Sequence, residues 1–251
     1  MSKDILDLGQ KNEAQNQRAR SENTKPILPK TEILHEEKHF AAVIKPAGII
    51  SQAASGADEN SKRSMVSLLS AELSSTIYPV HRLDREAFGV MIYAKTKAGA
   101  EKISRLITDV SFEKQYLTVV ESVPEPERGE MVDLLLHDSK KNKSYVVDRE
   151  RKGVRKAILE YEVLGKAQYA GRTLSLVRVL LHTGRTHQIR VQFASRKMPI
   201  VGDSRYGSSI KAQMCLCSYR ISFINPFSGK NVSFQKVPDG EFFKLFGLDV
   251  L

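Results

Sequence analysis

Asp84 stands between two guanidiniums in the run His81-Arg82-Leu83-Asp84-Arg85-Glu86. Nearby positive charge favours the ionised form of a carboxylate, and an ionised carboxylate can serve as a nucleophile or an electrostatic stabiliser. The plainer reading is a turn cap or a surface ion pair, which contributes little. The next residues, Ala87-Phe88-Gly89-Val90-Met91-Ile92-Tyr93-Ala94, alternate Val90, Ile92 and Ala94 against Met91 and Tyr93 before Lys95-Thr96. That is the pattern of a strand, so Asp84 is expected in a loop that a sheet would hold rigidly.

The absence of other catalytic patterns narrows the chemistry. The chain contains neither a Gly-x-x-x-x-Gly-Lys-Ser/Thr loop nor a Gly-x-Gly-x-x-Gly turn, which argues against nucleoside triphosphate or dinucleotide use. His182 and His187 are separated by a glycine-containing bend, and His187 reads as a polar residue at a helix start rather than a metal ligand. Cys215 and Cys217 would share one face of a strand, so neither a disulfide nor a metal site is expected. A cofactor-free reaction run by one carboxylate is left. Rearrangement or hydrolysis at a sugar suits it, because a carboxylate stabilises an oxocarbenium-like transition state. Spacing singles out no second carboxylate of the kind a glycosidase uses.

The 251 residues carry 39 Lys+Arg against 29 Asp+Glu, a net charge of +10, which points to a polyanionic partner such as nucleic acid. No apolar run approaches the roughly 18 residues of a membrane span. Two unpaired thiols fit a reducing, cytoplasmic setting. Residues 1 to about 30 are polar, with little beyond Ile5, Leu6 and Leu8 to bury, and read as a disordered arm without a signal peptide. The globular part is expected over residues 31–251, as a monomer.

Within it, Glu32–His35 and Phe40–Ile44 read as short strands closed by Lys45-Pro46-Ala47-Gly48. A Ser-, Gly- and Asp-rich loop over Ser51–Ser61 precedes a helix with Met65, Leu68, Leu69 and Leu73 on one stripe. Thr96 is a candidate N-cap for a helix burying Ala100, Ile103, Leu106 and Ile107. Phe112–Val120 alternates as a strand, and two longer strands, Ala157–Leu164 and Thr173–Leu181, are joined by a turn at Ala170-Gly171. The second of these is apolar on both faces, as in a sheet covered on both sides. Between Lys140 and Lys156 eight basic residues face two acidic ones, either a solvated hairpin tip or a phosphate-contacting arm. A short helix from about Thr186 would place His187, Arg190, Val191 and Ala194 toward a cleft, with Ile189 and Phe193 toward the core. Strand-like runs around Met214–Leu216, Tyr219–Phe223 and Val232–Phe234 finish the chain. Directly from these strands, the fold class is α+β with a largely antiparallel sheet.

Four runs, Lys45-Pro46-Ala47-Gly48, His81-Arg82-Leu83-Asp84-Arg85, Glu113-Lys114-Gln115-Tyr116 and Leu181-His182-Thr183-Gly184-Arg185-Thr186-His187-Gln188-Ile189-Arg190, resemble in order the motifs of RNA pseudouridine synthases of the RluA branch. Pro199-Ile200-Val201-Gly202-Asp203-Ser204-Arg205-Tyr206-Gly207 and Asn225-Pro226-Phe227-Ser228-Gly229 are similar to that branch as well. The resemblance implies a mixed central sheet flanked by helices, and isomerisation of uridine in ribosomal or transfer RNA without metal or cofactor. It implies Asp84 as nucleophile, Tyr116 against the uracil ring and Arg190 paired with Asp84. Arg82 would fill the stack left by a flipped base, and His81, Arg85, Lys114, Arg185 and His187 would contact substrate. The chain departs from the pattern at Ala87-Phe88, where Thr-Ser is usual, at Gln192, where His is common, and at Leu159, where Thr is usual. Packing of the Phe88 ring is expected to replace hydrogen bonds that steady the Asp84 loop. The chain also leaves no room for the small N-terminal RNA-binding domain of many relatives. The alternative raised by Ala87-Phe88 and the net charge of +10 is a catalytically silent RNA-binding or RNA-folding protein on the same scaffold.

Overall fold

The computed structural model describes residues 30–53, 63–108 and 111–247. The expected arm over residues 1–29 and most of the Ser51–Ser61 loop therefore lie outside the described residues. One compact unit begins at Thr31.

Among the described residues, eleven strands make a single sheet: β1 (Glu32–Glu36), β2 (Phe40–Lys45), β3 (Tyr78–Pro79), β4 (Phe88–Ala94), β5 (Glu113–Glu121), β6 (Arg128–Asp138), β7 (Lys143–Val147), β8 (Val154–Tyr169), β9 (Arg172–Leu181), β10 (Leu216–Ile224) and β11 (Asn231–Gln235). The helices are α1 (Met65–Glu72), α2 (Lys97–Thr108), α3 (Gln188–Ser195) and α4 (Glu241–Lys244). The main path runs β1-β2-β4-β10-β5-β9-β8-β6-β7, with β11 on β10 and β3 on β4. Of these strands only β4 and β10 pair in parallel. Their contact is short, Cys217 beside Phe88 and Ser218 beside Gly89. A Cβ at Gly89, whose φ is +113°, would lie 2.3 Å from the Ser218 carbonyl oxygen, so this crossing requires glycine.

Burial explains the alternation in β2 and β4. Ala41, Val43, Met91 and Tyr93 join the larger core, whereas Phe40, Ala42, Ile44, Val90 and Ile92 join a second core with Ile103, Phe112, Ile221 and Phe223. Both faces of β2 and β4 are therefore buried. α2 covers the second core; its start is capped as expected, Thr96 Oγ1 accepting the Gly99 N–H at 3.0 Å. The β8–β9 turn is at Ala170 and Gly171, both with positive φ, the geometry of a tight hairpin.

Several expectations are corrected. β9 is buried on both faces only over Leu174–Val177; from Arg178 its outer face carries an ion pair to Glu162. The Met214–Leu216 and Tyr219–Phe223 runs belong mainly to one strand, β10. β6, with eleven residues, is not anticipated by the sequence pattern, because Leu134-Leu135-Leu136 hides its period of two. Val191 and Ala194 do not face a cleft; they pack with Leu135, Ala157 and Tyr206 beneath the β6–β7 hairpin.

The Asp84 loop is fastened by a lysine. Lys45, fully buried, donates to the carbonyls of Pro46 (2.9 Å), Arg85 (3.1 Å) and Ala87 (2.7 Å), using the three donors of an ammonium. The hydroxyl of Ser51 both accepts the Leu83 N–H and donates to the Leu83 carbonyl, each at 3.0 Å. Phe88 packs edge-on to Phe243 of α4, with centroids 6.1 Å apart. Loss of the Lys45 head group in Lys45→Met strands three carbonyls, and a drop of about 2 kcal/mol or more in unfolding free energy is expected by urea titration. Burial pushes the Lys45 pKa down to about 8 from 10.5. The unfolded chain thus binds the extra proton between these values, so the wild type should gain stability over Lys45→Met as pH rises from 8 to 10.5.

Candidate active site

A cleft of about 430 Å³ opens where the Asp84 loop, β5, the turn after β9 and the start of α3 meet. Of the residues singled out in the sequence, His81, Arg82, Asp84, Lys114, Tyr116, Arg185, His187 and Arg190 line it; Arg85 does not. Arg85 turns away and donates from Nε to the Gly48 carbonyl at 3.1 Å. The two guanidiniums flanking Asp84 in sequence are not its ion-pair partners either. That partner comes from α3, 106 positions along the chain: Arg190 Nη1 donates to Asp84 Oδ2 at 3.0 Å.

Arg190 is 2% exposed and is shared between two carboxylates. Its Nε and Nη2 donate to Asp203 Oδ2 (2.7 Å) and Oδ1 (2.8 Å), a bidentate pair. Burial alone would lower the Arg190 pKa, but the hydrogen bonds to Asp203 and the charges of Asp84 and Asp203 outweigh it and raise it. Asp203, 2% exposed, was given no role by the sequence. The available signal was a carboxylate in the apolar context Pro199-Ile200-Val201-Gly202, a placement that demands a buried cation.

β5 carries two side chains to the floor. Tyr116 is 6% exposed, and burial, followed by the negative charge of Asp84, pushes its phenol pKa upward, so it is a neutral hydroxyl at pH 7. Lys114 is nearly buried and burial lowers its pKa. No hydrogen bond or ion pair among the described residues engages its ammonium, which is left to face the cleft. At the rim, Arg82 is exposed and Arg185 donates from Nε to the Lys156 carbonyl at 3.0 Å.

Both histidines of the set are held by the protein. His81 Nε2 accepts the Ile92 N–H at 2.9 Å and so ties the loop to β4. Burial, with help from the Lys114 charge, lowers its pKa to about 3, leaving it neutral. His187 begins α3 in the left-handed region, with φ of 54°, and its Nε2 lies 4.0 Å from Asp84 Oδ1. Gln192, where a histidine is common, donates to Asp133 Oδ2 at 2.8 Å and to the Met131 carbonyl at 3.2 Å, tying α3 to β6. Leu159 is fully buried in the larger core. Among the described residues no group of three or more His, Cys, Asp or Glu is placed to hold a metal ion.

This geometry offers a carboxylate that lines a cavity with one oxygen held and the other free of hydrogen bonds among the described residues, backed by a neutral phenol and rimmed by cations. Such a site can stabilise or trap an electron-poor carbon on an anionic substrate.

Residues 39–195 match the RNA pseudouridylate synthase family. An uncharacterized RNA pseudouridine synthase of Aquifex aeolicus is 31% identical, covering 88% of this chain and 73% of that protein. The dual-specificity RNA pseudouridine synthase RluA of Escherichia coli O157:H7 is 31% identical over 85% of this chain and 96% of its own length. In structure, the human RNA pseudouridylate synthase domain containing 1 superposes with a TM-score of 0.70 at 20% identity, over 86% of each chain. The mixed, mostly antiparallel sheet and the matched sequence together establish that this chain belongs to the RNA pseudouridine synthases, isomerases of uridine in RNA, and to their RluA branch.

Proposed function

We propose that the cleft receives a single uridine flipped out of a folded ribosomal or transfer RNA, and that Asp84 is the nucleophile that detaches and rejoins its base. The observation that carries this reading is the Arg190 bridge, which holds Asp84 Oδ2 and leaves Oδ1 without a hydrogen bond among the described residues, on a residue that lines the cavity. Relatives named for ribosomal large-subunit and transfer-RNA modification support the substrate class. Asp84 forms a transient bond to either the sugar or the base; the N-glycosidic bond breaks, the ring turns, and as a bond forms from carbon 5 to the ribose the bond to Asp84 breaks and the carboxylate is freed. The proton on carbon 5 then passes to the freed Asp84 carboxylate, the neutral Tyr116 phenol lying against the ring and relaying it. Arg82, exposed at the rim, fills the vacated stack.

The basic tip between β6 and β8 takes the part of a phosphate-contacting arm. Lys140, Lys141, Arg149, Arg151 and Lys152 are all exposed, while the tip backbone is anchored by Arg205, which donates to the Lys141 carbonyl at 3.1 Å. The silent-scaffold alternative rested on Ala87-Phe88 and the net charge of +10; the first ground loses force because Lys45 and Ser51 fasten the loop through backbone groups, and the second fits an enzyme acting on RNA equally well. Buried free thiols at Cys215 and Cys217 support a reducing, cytoplasmic setting, and no helix among the described residues is long and apolar enough to cross a membrane. We take the working form to be a monomer.

Two outcomes are expected. RNA tritiated at uridine carbon 5 should release tritium to water with the wild type and not with Asp84→Asn, and equal release by both would overturn the nucleophile assignment. Lys140→Gln combined with Lys141→Gln should raise KM for RNA and flatten the plot of log affinity against log salt by about one to two units of slope. An unchanged slope would remove the arm from the RNA contact.

A further inference from the structure

A second line of contacts reaches Asp84 through His187, at the start of the helix that carries Arg190, and the isomerisation steps proposed for Asp84 and Tyr116 do not use it. Tyr206, 9% exposed, sits in the short 3-10 turn Ser204–Tyr206 beside α3. Its hydroxyl oxygen accepts the backbone N–H of Ser144, on β7, at 2.8 Å. The hydroxyl proton then has two acceptors within reach, His187 Nδ1 at 3.0 Å and the Ser144 carbonyl at 3.3 Å. The face of the same ring lies 5.1 Å from the Arg190 guanidinium carbon. Tyr206 thus touches both residues that face the Asp84 carboxylate.

Hydrogen-bond accounting decides where the imidazole carries its proton. Burial lowers the His187 pKa, and a neutral imidazole has one N–H and one bare nitrogen. If Nδ1 held the proton, the bare Nε2 would present a lone pair to Asp84 Oδ1 at 4.0 Å, an unfavourable approach of like charge. If Tyr206 donates to Nδ1, the proton is on Nε2 and points at that oxygen. The shorter of the two Tyr206 distances is the one to Nδ1. The ring has little room to turn over, being 7% exposed and packed edge-on to His137 with centroids 6.2 Å apart.

We propose that Tyr206 fixes the Nε2–H tautomer of His187, and that this N–H steers Asp84 Oδ1, the oxygen Arg190 leaves unheld, toward the reacting carbon. His187 and Tyr206 are positioning residues in this arrangement, and the proposal rests on Asp84 being the nucleophile. At 4.0 Å the contact is charge to dipole rather than a hydrogen bond; it orients without neutralising the attacking oxygen. Because Ser144 lies on β7, the same hydroxyl also ties this orientation to the seat of the basic hairpin.

The full chain with nitrogen-15 histidine tests this by long-range proton–nitrogen correlation, the His187 signals being assigned by their loss in His187→Gln. The wild type should show His187 protonated at Nε2, and Tyr206→Phe, which keeps a ring over Arg190, should shift it toward the Nδ1 form. In tritium release, Tyr206→Phe should lose on the order of tenfold or more in kcat, as small misplacements of reacting groups do, with KM within about twofold. His187→Gln, with an N–H near the Nε2 position, should retain more kcat than His187→Met, both being checked for folding by near-ultraviolet circular dichroism. A wild-type Nδ1 tautomer, or a Tyr206→Phe protein that loses the Nε2 form at full kcat, overturns the proposal. The tautomer is read without turnover, so a fully active Asp84→Asn would defeat the nucleophile assignment separately.

Discussion

One guanidinium, dehydrated and divided between two carboxylates, holds this site together. Arg190 commits its Nε and Nη2 to Asp203 and its Nη1 to Asp84, and these three residues come from α3, the loop after it and the loop before β4. A planar fork of donors meets this demand where a lysine could not. Burying a cation is costly unless its partners are fixed, and the surroundings are fixed: Asp203 is 2% exposed, and α3 has Ile189 and Phe193 in the larger core. Asp203 therefore orients the guanidinium and leaves Nη1 for Asp84, an unequal division in which only one oxygen of Asp84 is held.

The Asp84 loop is organised by the same logic of satisfied backbone groups. Its neighbours in sequence give it little: Arg82 is exposed, Arg85 binds the Gly48 carbonyl, and Ala87-Phe88 brings packing rather than hydroxyls. The fastening comes from Lys45, Ser51 and His81, which address the loop or its following strand through carbonyls and N–H groups. Contacts of this kind do not depend on the side chains at positions 87 and 88. That is the physical reason a departure from the usual Thr-Ser at those positions is compatible with an ordered site.

Charge is distributed by depth. Cations at the rim and on the hairpin tip, Arg82, Arg185, Lys140 and Lys141 among them, remain in water, where a polyanion meets them without a desolvation cost. The floor is Tyr116 with Leu181, Ile189 and Leu216, and it contains one cation, Lys114, without an engaged partner among the described residues. A flat uncharged base suits such a floor, and a phosphodiester backbone suits such a rim.

How far the residues themselves reveal this protein depends on which interactions are local. Period-two patterns in β4 and β5, the apolar runs of β2 and β9, the Thr96 cap and the Ala170-Gly171 turn are short-range matters of backbone geometry, so the sequence alone was enough to expect them and the α+β class. The residues that meet in the cleft were legible too, because Asp84, Tyr116 and Arg190 stand in runs whose order is characteristic of a family. Pairing was not legible. Arg82 and Arg85 flank Asp84 by two positions or fewer, yet its ion-pair partner is 106 positions away, since proximity along a loop does not determine which way a long side chain turns. Asp203, Lys45 and Tyr206 acquire their roles only when strands and turns distant in sequence are packed together. The long strand β6 also escaped, because its leucine run is held extended by pairing with β7 and β8 rather than by its own pattern. Residue types and local order are written in the chain; which donor meets which acceptor is decided by tertiary packing, because burial makes every unpaired polar group costly and so selects the partner.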